Sequence, residues 1–367
     1  MAGPPLPFTI DVPEAELDDL RRRLRATRWP DAVADDWSQG TAPGDLRRLV
    51  EHWGNAFDWR AAERRLNALD HVTVKVDGER IHAVRAGTPG ATPLLLVHGW
   101  PDSFLRFEKA IPLLAARFEL VIPSIPGYGF SDRPASALGP AGVARRFAQL
   151  MTALGHERFG VHGADIGSQI AEQLALFAPD RVIGLHLGDV PLRRLRALDS
   201  ADLNEAELAW RAAMQEWEGA EGAYAHLQRT KPQTLAASLN DSPAGLASWV
   251  LEKFRAWSDC DGDVFSRFTL DELATNLTIY WVTQTAGSAG RYYLDARLAE
   301  LDSSPVTTPT GIATFPKDLL VAPGRSAERW FNLQRLTQMP RGGHFGPWEE
   351  PESWSTEVIA FFDQLGA

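Results

Sequence analysis

The chain is expected to be an α/β protein built on a mainly parallel sheet with helices on both faces. Three observations carry that expectation. Short apolar runs alternate with amphipathic helical stretches over residues 71–190, the pattern of buried parallel strands joined by crossover helices. The same rhythm resumes over 301–367. Between them, residues 191–300 are rich in helix-forming residues and tryptophan and hold no buried strand run, which marks them as a helical insertion or lid.

Residues 1–70 form a helical preface packed on the core. Val12-Pro13-Glu14-Ala15-Glu16 starts a helix with acids in its first turn, where the dipole favours them, and Leu17, Leu20 and Leu24 follow at helical spacing until Trp29-Pro30. Asp45 to Phe57 and Trp59 to Leu69 repeat the pattern, and tryptophans at 29, 37, 53 and 59 imply packing against a neighbour. From His71 the period becomes two, with Val72, Val74 and Val76 leading into the turn Asp77-Gly78, a hairpin signal. Leu94–Val97 and Leu120–Pro123 read as buried strands. The helix Gly142–Leu154, strand Phe159–His162, helix Ser168–Phe177 and strand Val182–Leu187 follow. The apolar stretches Ile312–Phe315 and Leu319–Ala322 and the helix Trp354–Leu365 complete the core.

The 367 residues are 44% hydrophobic and 23% charged, as in a globular enzyme. A net charge of -11 argues against a nucleic-acid or anionic-membrane partner. No basic region followed by an apolar run opens the chain, so no signal peptide is expected, and no apolar run is long enough to span a bilayer. The single cysteine, Cys260, forms no internal disulfide and points to a reducing, cytoplasmic setting. Only five lysines occur among 37 basic residues, a composition that suggests a GC-rich bacterial genome.

The chemistry gathers at Phe159-Gly-Val-His-Gly163-Ala164-Asp165-Ile166-Gly167-Ser168. A strand-to-helix turn of the form G-x-S-x-G carries the nucleophile in α/β-hydrolases, and here Asp165 stands at its centre. Asp165 could also simply cap the following helix. Two other motifs favour the nucleophile. His98-Gly99-Trp100-Pro101 closes a buried strand where an oxyanion loop would lie, and His344 sits in Arg341-Gly342-Gly343-His344-Phe345 near the C-terminus. The order nucleophile, acid, histidine is that of this fold. Asp318, after the strand candidate ending at Phe315, is the acid chosen, ahead of Glu328, Asp302 and Asp295.

Ala286-Gly287-Ser288-Ala289-Gly290 resembles a serine elbow but follows no buried strand and reads as a loop between helices. Zinc-hydrolase spacing, a phosphate-binding loop and a dinucleotide fingerprint are missing, so neither metal nor cofactor is expected. An aspartate nucleophile suits attack on an sp³ carbon bearing a leaving group, giving an alkyl ester that an activated water then hydrolyses. Backbone N–H groups of Trp100 and Ile166 would stabilise the oxyanion. The leaving group is an epoxide oxygen, protonated by a donor such as tyrosine, or a halide held by N–H donors.

These motifs resemble the epoxide hydrolase family, in its microsomal-type branch with a helical N-terminal extension. The similarity runs over nearly the whole chain, through HGWPDSF, PSIPGYGFSDRP, HGADIGS, YAHLQRTKPQ, RYY, FPKDLL and RGGHFGPWEEPE. It implies an α/β-hydrolase core at 71–190 and 301–367, a helical cap at 191–300, and Asp165, His344 and Asp318 as nucleophile, base and acid. It also implies two cap tyrosines that protonate the epoxide oxygen. Tyr224 matches the first and Tyr293 the second, with its neighbour Tyr292 as the alternative. Many relatives have tryptophan after the nucleophile, where this chain has Ile166, and some have glutamate where it has Asp318. Membrane-bound relatives carry an anchor, whereas this chain is expected to open on the soluble extension.

The implied partners are a small hydrophobic aryl or alkyl epoxide and water, in a role such as detoxification, with no nucleic acid and no membrane. The oligomeric state stays open, a homodimer included. Two other readings stand beside this one. A haloalkane dehalogenase would need halide donors, which Ile166 cannot supply and Trp100 replaces poorly. A silent binding protein of the same fold would usually have lost a triad member.

Overall fold

A computed structural model describes residues 2–190 and 192–366. Among these, nine strands form one sheet: β1 (Leu6–Pro7), β2 (Asp70–Val76), β3 (Glu79–Gly87), β4 (Thr92–Val97), β5 (Phe118–Pro123), β6 (Phe159–Gly163), β7 (Val182–Leu187), β8 (Val306–Thr314) and β9 (Phe331–Gln338). Their order is β1-β2-β3-β5-β4-β6-β7-β8-β9. The pairs β1–β2, β2–β3 and β3–β5 are antiparallel, and every pairing from β5–β4 to β8–β9 is parallel. Strands β4 and β6 sit centrally and end side by side, Val97 opposite Gly163. The loops after them therefore open at one edge of the sheet, where ligands of open α/β folds bind.

Amphipathic helices cover this sheet. Glu14–Arg25 buries Leu17, Leu20 and Leu24, and Pro43–Asn55 buries Leu46, Leu49, Val50 and Trp53. The preface also contacts the segment between β7 and β8, where the Trp53 indole donates to Thr278 Oγ1 at 2.8 Å. That segment, residues 192–298, is helical throughout its regular structure. No helix of the described residues is long and apolar enough to cross a membrane.

Three expectations need correction. Leu319–Ala322 forms no strand; the last strand is β9, whose alternating, half-exposed sequence FNLQRLTQ gives little apolar signal at a sheet edge. Leu6–Pro7 adds a short edge strand that two residues could not announce. Ala286–Gly290 is the first turn of the helix Ala286–Leu298 and not a loop, with Ser288 Oγ donating to the Gly127 carbonyl at 2.5 Å.

The turn after β6 depends on glycine. A Cβ on Gly163 would lie 2.2 Å from the Gly167 carbonyl oxygen, and one on Gly167 would lie 2.5 Å from Val97 O and 2.6 Å from His98 O. Those neighbours are backbone and cannot step aside. Gly167→Ala should therefore destabilise the fold by about 1–3 kcal/mol, read as a lower urea midpoint. An unchanged midpoint would show that the turn has slack.

Candidate active site

Asp165 is the residue between β6 and the helix Ile166–Phe177, and its backbone adopts φ 57° and ψ -130°. A non-glycine residue in this region costs on the order of 1–3 kcal/mol. The conformation persists because its surroundings hold it. The Asp165 N–H donates to Asp189 Oδ2 at 2.8 Å, and Ser168 Oγ donates to the Asp165 carbonyl at 2.6 Å. Asp165 does not cap its helix with its side chain. The carboxylate faces a cavity of roughly 500 Å³.

There Asp165 Oδ1 accepts the Trp100 N–H at 2.9 Å, and the Ile166 N–H also bonds the carboxylate. Burial pushes the Asp165 carboxyl above the usual carboxylate range, while the His344 charge and the two N–H groups oppose the rise. His344 Nε2 faces Asp165 Oδ2 at 3.6 Å and has no hydrogen-bond partner among the described residues. Its Nδ1 lies 2.8 Å from Asp318 Oδ1. Burial alone would lower the His344 pKa, but the Asp318 charge and hydrogen bond, with Asp165 behind them, raise it above 6.5.

The roof comes from the segment between β7 and β8. The Tyr224 ring stacks on Trp100 at 5.2 Å and 6°, and the Tyr293 ring meets Trp100 edge-on at 5.8 Å. The two tyrosine rings pack edge-on against each other, with centroids 6.2 Å apart at 77°. Burial, and then the nearby Asp165 charge, raise the pKa of both, so both hold their protons at neutral pH. Tyr292 also lines the cavity, and its buried hydroxyl has no partner among the described residues.

Sequence reasoning missed several groups. Asp189, just past β7, is half-buried and lines the cavity, and desolvation followed by the Asp318 charge lifts its pKa to about 7. A carboxylate at the C-terminal end of a parallel strand was the available signal. Arg106 is fully buried, pairs with Asp102 and donates to the His344 carbonyl at 3.1 Å. Glu349 accepts backbone N–H groups from Asp259, Gly343 and Phe345 at 2.7–3.1 Å. The His344 N–H donates to the Trp257 carbonyl at 2.7 Å. Asp302 and Asp295 serve elsewhere: the Asp302 carbonyl accepts from Gln173, and Asp295 accepts the Leu138 N–H. Glu328 pairs with Arg325.

Residues 5–107 match the family model described as the epoxide hydrolase N terminus, and residues 92–351 match the alpha/beta hydrolase fold. Epoxide hydrolase 1 of Sus scrofa is 34% identical over 98% of this chain and 88% of its own length. The chain belongs to the epoxide hydrolase family. Its structure is similar to that of juvenile hormone epoxide hydrolase from the silkworm Bombyx mori, with a TM-score of 0.85 at 30% identity, covering 98% of this chain and 94% of that one. The epoxide hydrolase of Aspergillus niger gives a TM-score of 0.84 at 28% identity, over 98% and 96% of the two chains. The α/β-hydrolase fold expected from the turn after β6 is thus the fold of this epoxide hydrolase family member.

The raised basicity of His344 is traced above to Asp318. In Asp318→Asn that charge is gone and burial remains, so the imidazole pKa should fall, as followed by NMR titration of the ring. A pKa left in place would assign the rise to another group.

Proposed function

We propose that this enzyme hydrolyses epoxides to vicinal diols through an ester on Asp165. The observation that carries the reading is one cavity with a carboxylate on its floor, facing the N–H groups of Trp100 and Ile166, and two tyrosines packed together over Trp100 on its roof. Asp165 Oδ2, the oxygen not bonded to the Trp100 N–H, attacks a ring carbon from the side opposite the breaking C–O bond. Tyr224 or Tyr293 gives its proton to the departing ring oxygen. Two protonated donors suit an oxygen that becomes an alkoxide, and Ile166 offers no side-chain donor for a halide.

In the second step His344 Nε2 takes a proton from water, and the hydroxide adds to the ester carbonyl carbon. Asp318 orients the imidazole and stabilises its positive charge. The developing oxyanion is the former Oδ1, which already accepts the Trp100 N–H, with the Ile166 N–H beside the same carboxylate, so little reorganisation is needed. Collapse breaks the bond between the Asp165 carbonyl carbon and Oδ2, and the departing alkoxide takes the proton held by His344. The remaining proton of the added water returns to the tyrosinate, so the diol leaves and the Asp165 carboxylate is restored. The product keeps one oxygen from Asp165 and one from the epoxide. The aromatic roof favours aryl or alkyl epoxides, and a cap at 191–300 would cover them.

His344→Gln should form the ester and fail to hydrolyse it. Mixed with styrene oxide, that variant should gain the mass of one epoxide on the peptide containing Asp165; a lack of adduct despite wild-type turnover would contradict the scheme. Tyr224→Phe with Tyr293→Phe should lose about 10²–10⁴-fold in rate, and each single change less, because the other hydroxyl still donates. Full activity in the double variant would remove the tyrosines from the proton step. Because only neutral His344 can take the water proton, ester hydrolysis should rise with pH through a His344 pKa above 6.5.

A further inference from the structure

The outer wall of the cavity is cationic. Arg193, Arg196, Arg229 and Arg297 line it, against one wall carboxylate, Glu218. This excess stands in a chain of net charge -11. Glu218 is already taken by Arg196, at 2.9 Å. Among the described residues, the only hydrogen bond of Arg229 runs from Nε to the Ala225 carbonyl of its own helix, at 3.1 Å, and no carboxylate there pairs with it. Arg297 makes no hydrogen bond or ion pair among the described residues. Arg193 reaches Glu172 only at 3.9 Å, while Arg194 holds that carboxylate at 2.8 Å, and the buried Nη2 of Arg193 has no hydrogen-bond partner among the described residues.

Arg196 and Arg229 lie close enough to act on each other and on Tyr224; burial works most against the Arg196 guanidinium, Glu218 offsets part of that, and the Arg229 charge adds to the burial. Like charges held together beside a cavity are a cost that a bound anion would remove. The floor carboxylates do not supply that anion. The charges acting most on Asp165 and Asp189 come from His344, Arg106 and Asp318 and not from the wall arginines.

We propose that this wall is an anion subsite, and that the favoured substrates are epoxides carrying a carboxylate or similar anionic group away from the oxirane ring. The inference rests on the epoxide-opening reading and names a substrate class for it. Arginine suits this work because its planar guanidinium can bind a carboxylate through two N–H groups at once. The aromatic roof then takes the body of the molecule and the arginines its tail.

The test compares para-carboxystyrene oxide with its methyl ester and with styrene oxide, on the wild type, Arg229→Met and Arg297→Met. The wild type should favour the carboxylate over its ester by roughly tenfold or more in kcat/KM, and the preference should shrink at high ionic strength. Arg229→Met or Arg297→Met should lower the ratio of carboxylate to ester turnover by a similar factor. Equal turnover of acid and ester by the wild type would overturn the subsite. So would variants that lose acid, ester and styrene oxide in equal proportion, since the arginines would then act on the Tyr224 proton. Inertness toward all three would overturn the epoxide reading itself, whereas turnover of the two neutral epoxides without the acid would sink the subsite alone.

Discussion

A carboxylate that must stay charged while buried is the constraint on which this site depends. Asp165 is removed from water, which raises its pKa, and is kept usable by groups that favour its ionised form: the Trp100 and Ile166 N–H groups and His344. To present the carboxylate to those groups the chain must turn sharply between β6 and its helix, at a positive φ that an aspartate does not favour. The turn is held on three sides. Gly163 and Gly167 let backbone pass against backbone, and Asp189 accepts the Asp165 N–H. Asp189 is thereby tied to the geometry, and its pKa near 7 reflects the cost of placing it beside Asp318 in the same buried pocket.

The His344 loop is braced from both sides. Arg106 links it to the loop after β4, because the same guanidinium that pairs with Asp102 donates to the His344 carbonyl. Asp102 in turn accepts the Gly99 N–H at 3.0 Å, one residue before the Trp100 N–H that meets Asp165. Glu349 gathers the N–H groups of Gly343 and Phe345 together with that of Asp259, from the helical segment above. Floor, base loop and roof therefore share buried polar contacts, and a buried pair such as Arg106–Asp102 is costly to break from one side, at about 3–5 kcal/mol.

Much of this was legible in the sequence because local patterns carried it. The glycine-flanked turn pointed to Asp165, the glycine-flanked loop to His344, and the preceding strand to Asp318, and the structure brings all three side chains to one cavity. The tyrosines were not readable from spacing, since Tyr224 and Tyr293 lie on different helices and meet only through folding; the family resemblance supplied them. Strand β9 escaped notice because an edge strand with one wet face needs no continuous apolar run. Arg106 looks like any surface arginine in sequence, and only the fold buries it. The cationic wall was hidden for the same reason, its members coming from three helices.

The central claim is that Asp165, and not water, attacks the epoxide. One turnover with enzyme in excess over styrene oxide, run in water labelled with heavy oxygen, tests it most directly. The account requires the first diol to carry no label and the heavy oxygen to appear in the peptide containing Asp165, because water adds to the ester carbonyl carbon. Label in the diol of that first turnover, with Asp165 unlabelled, would mean direct attack by water and would contradict the ester mechanism.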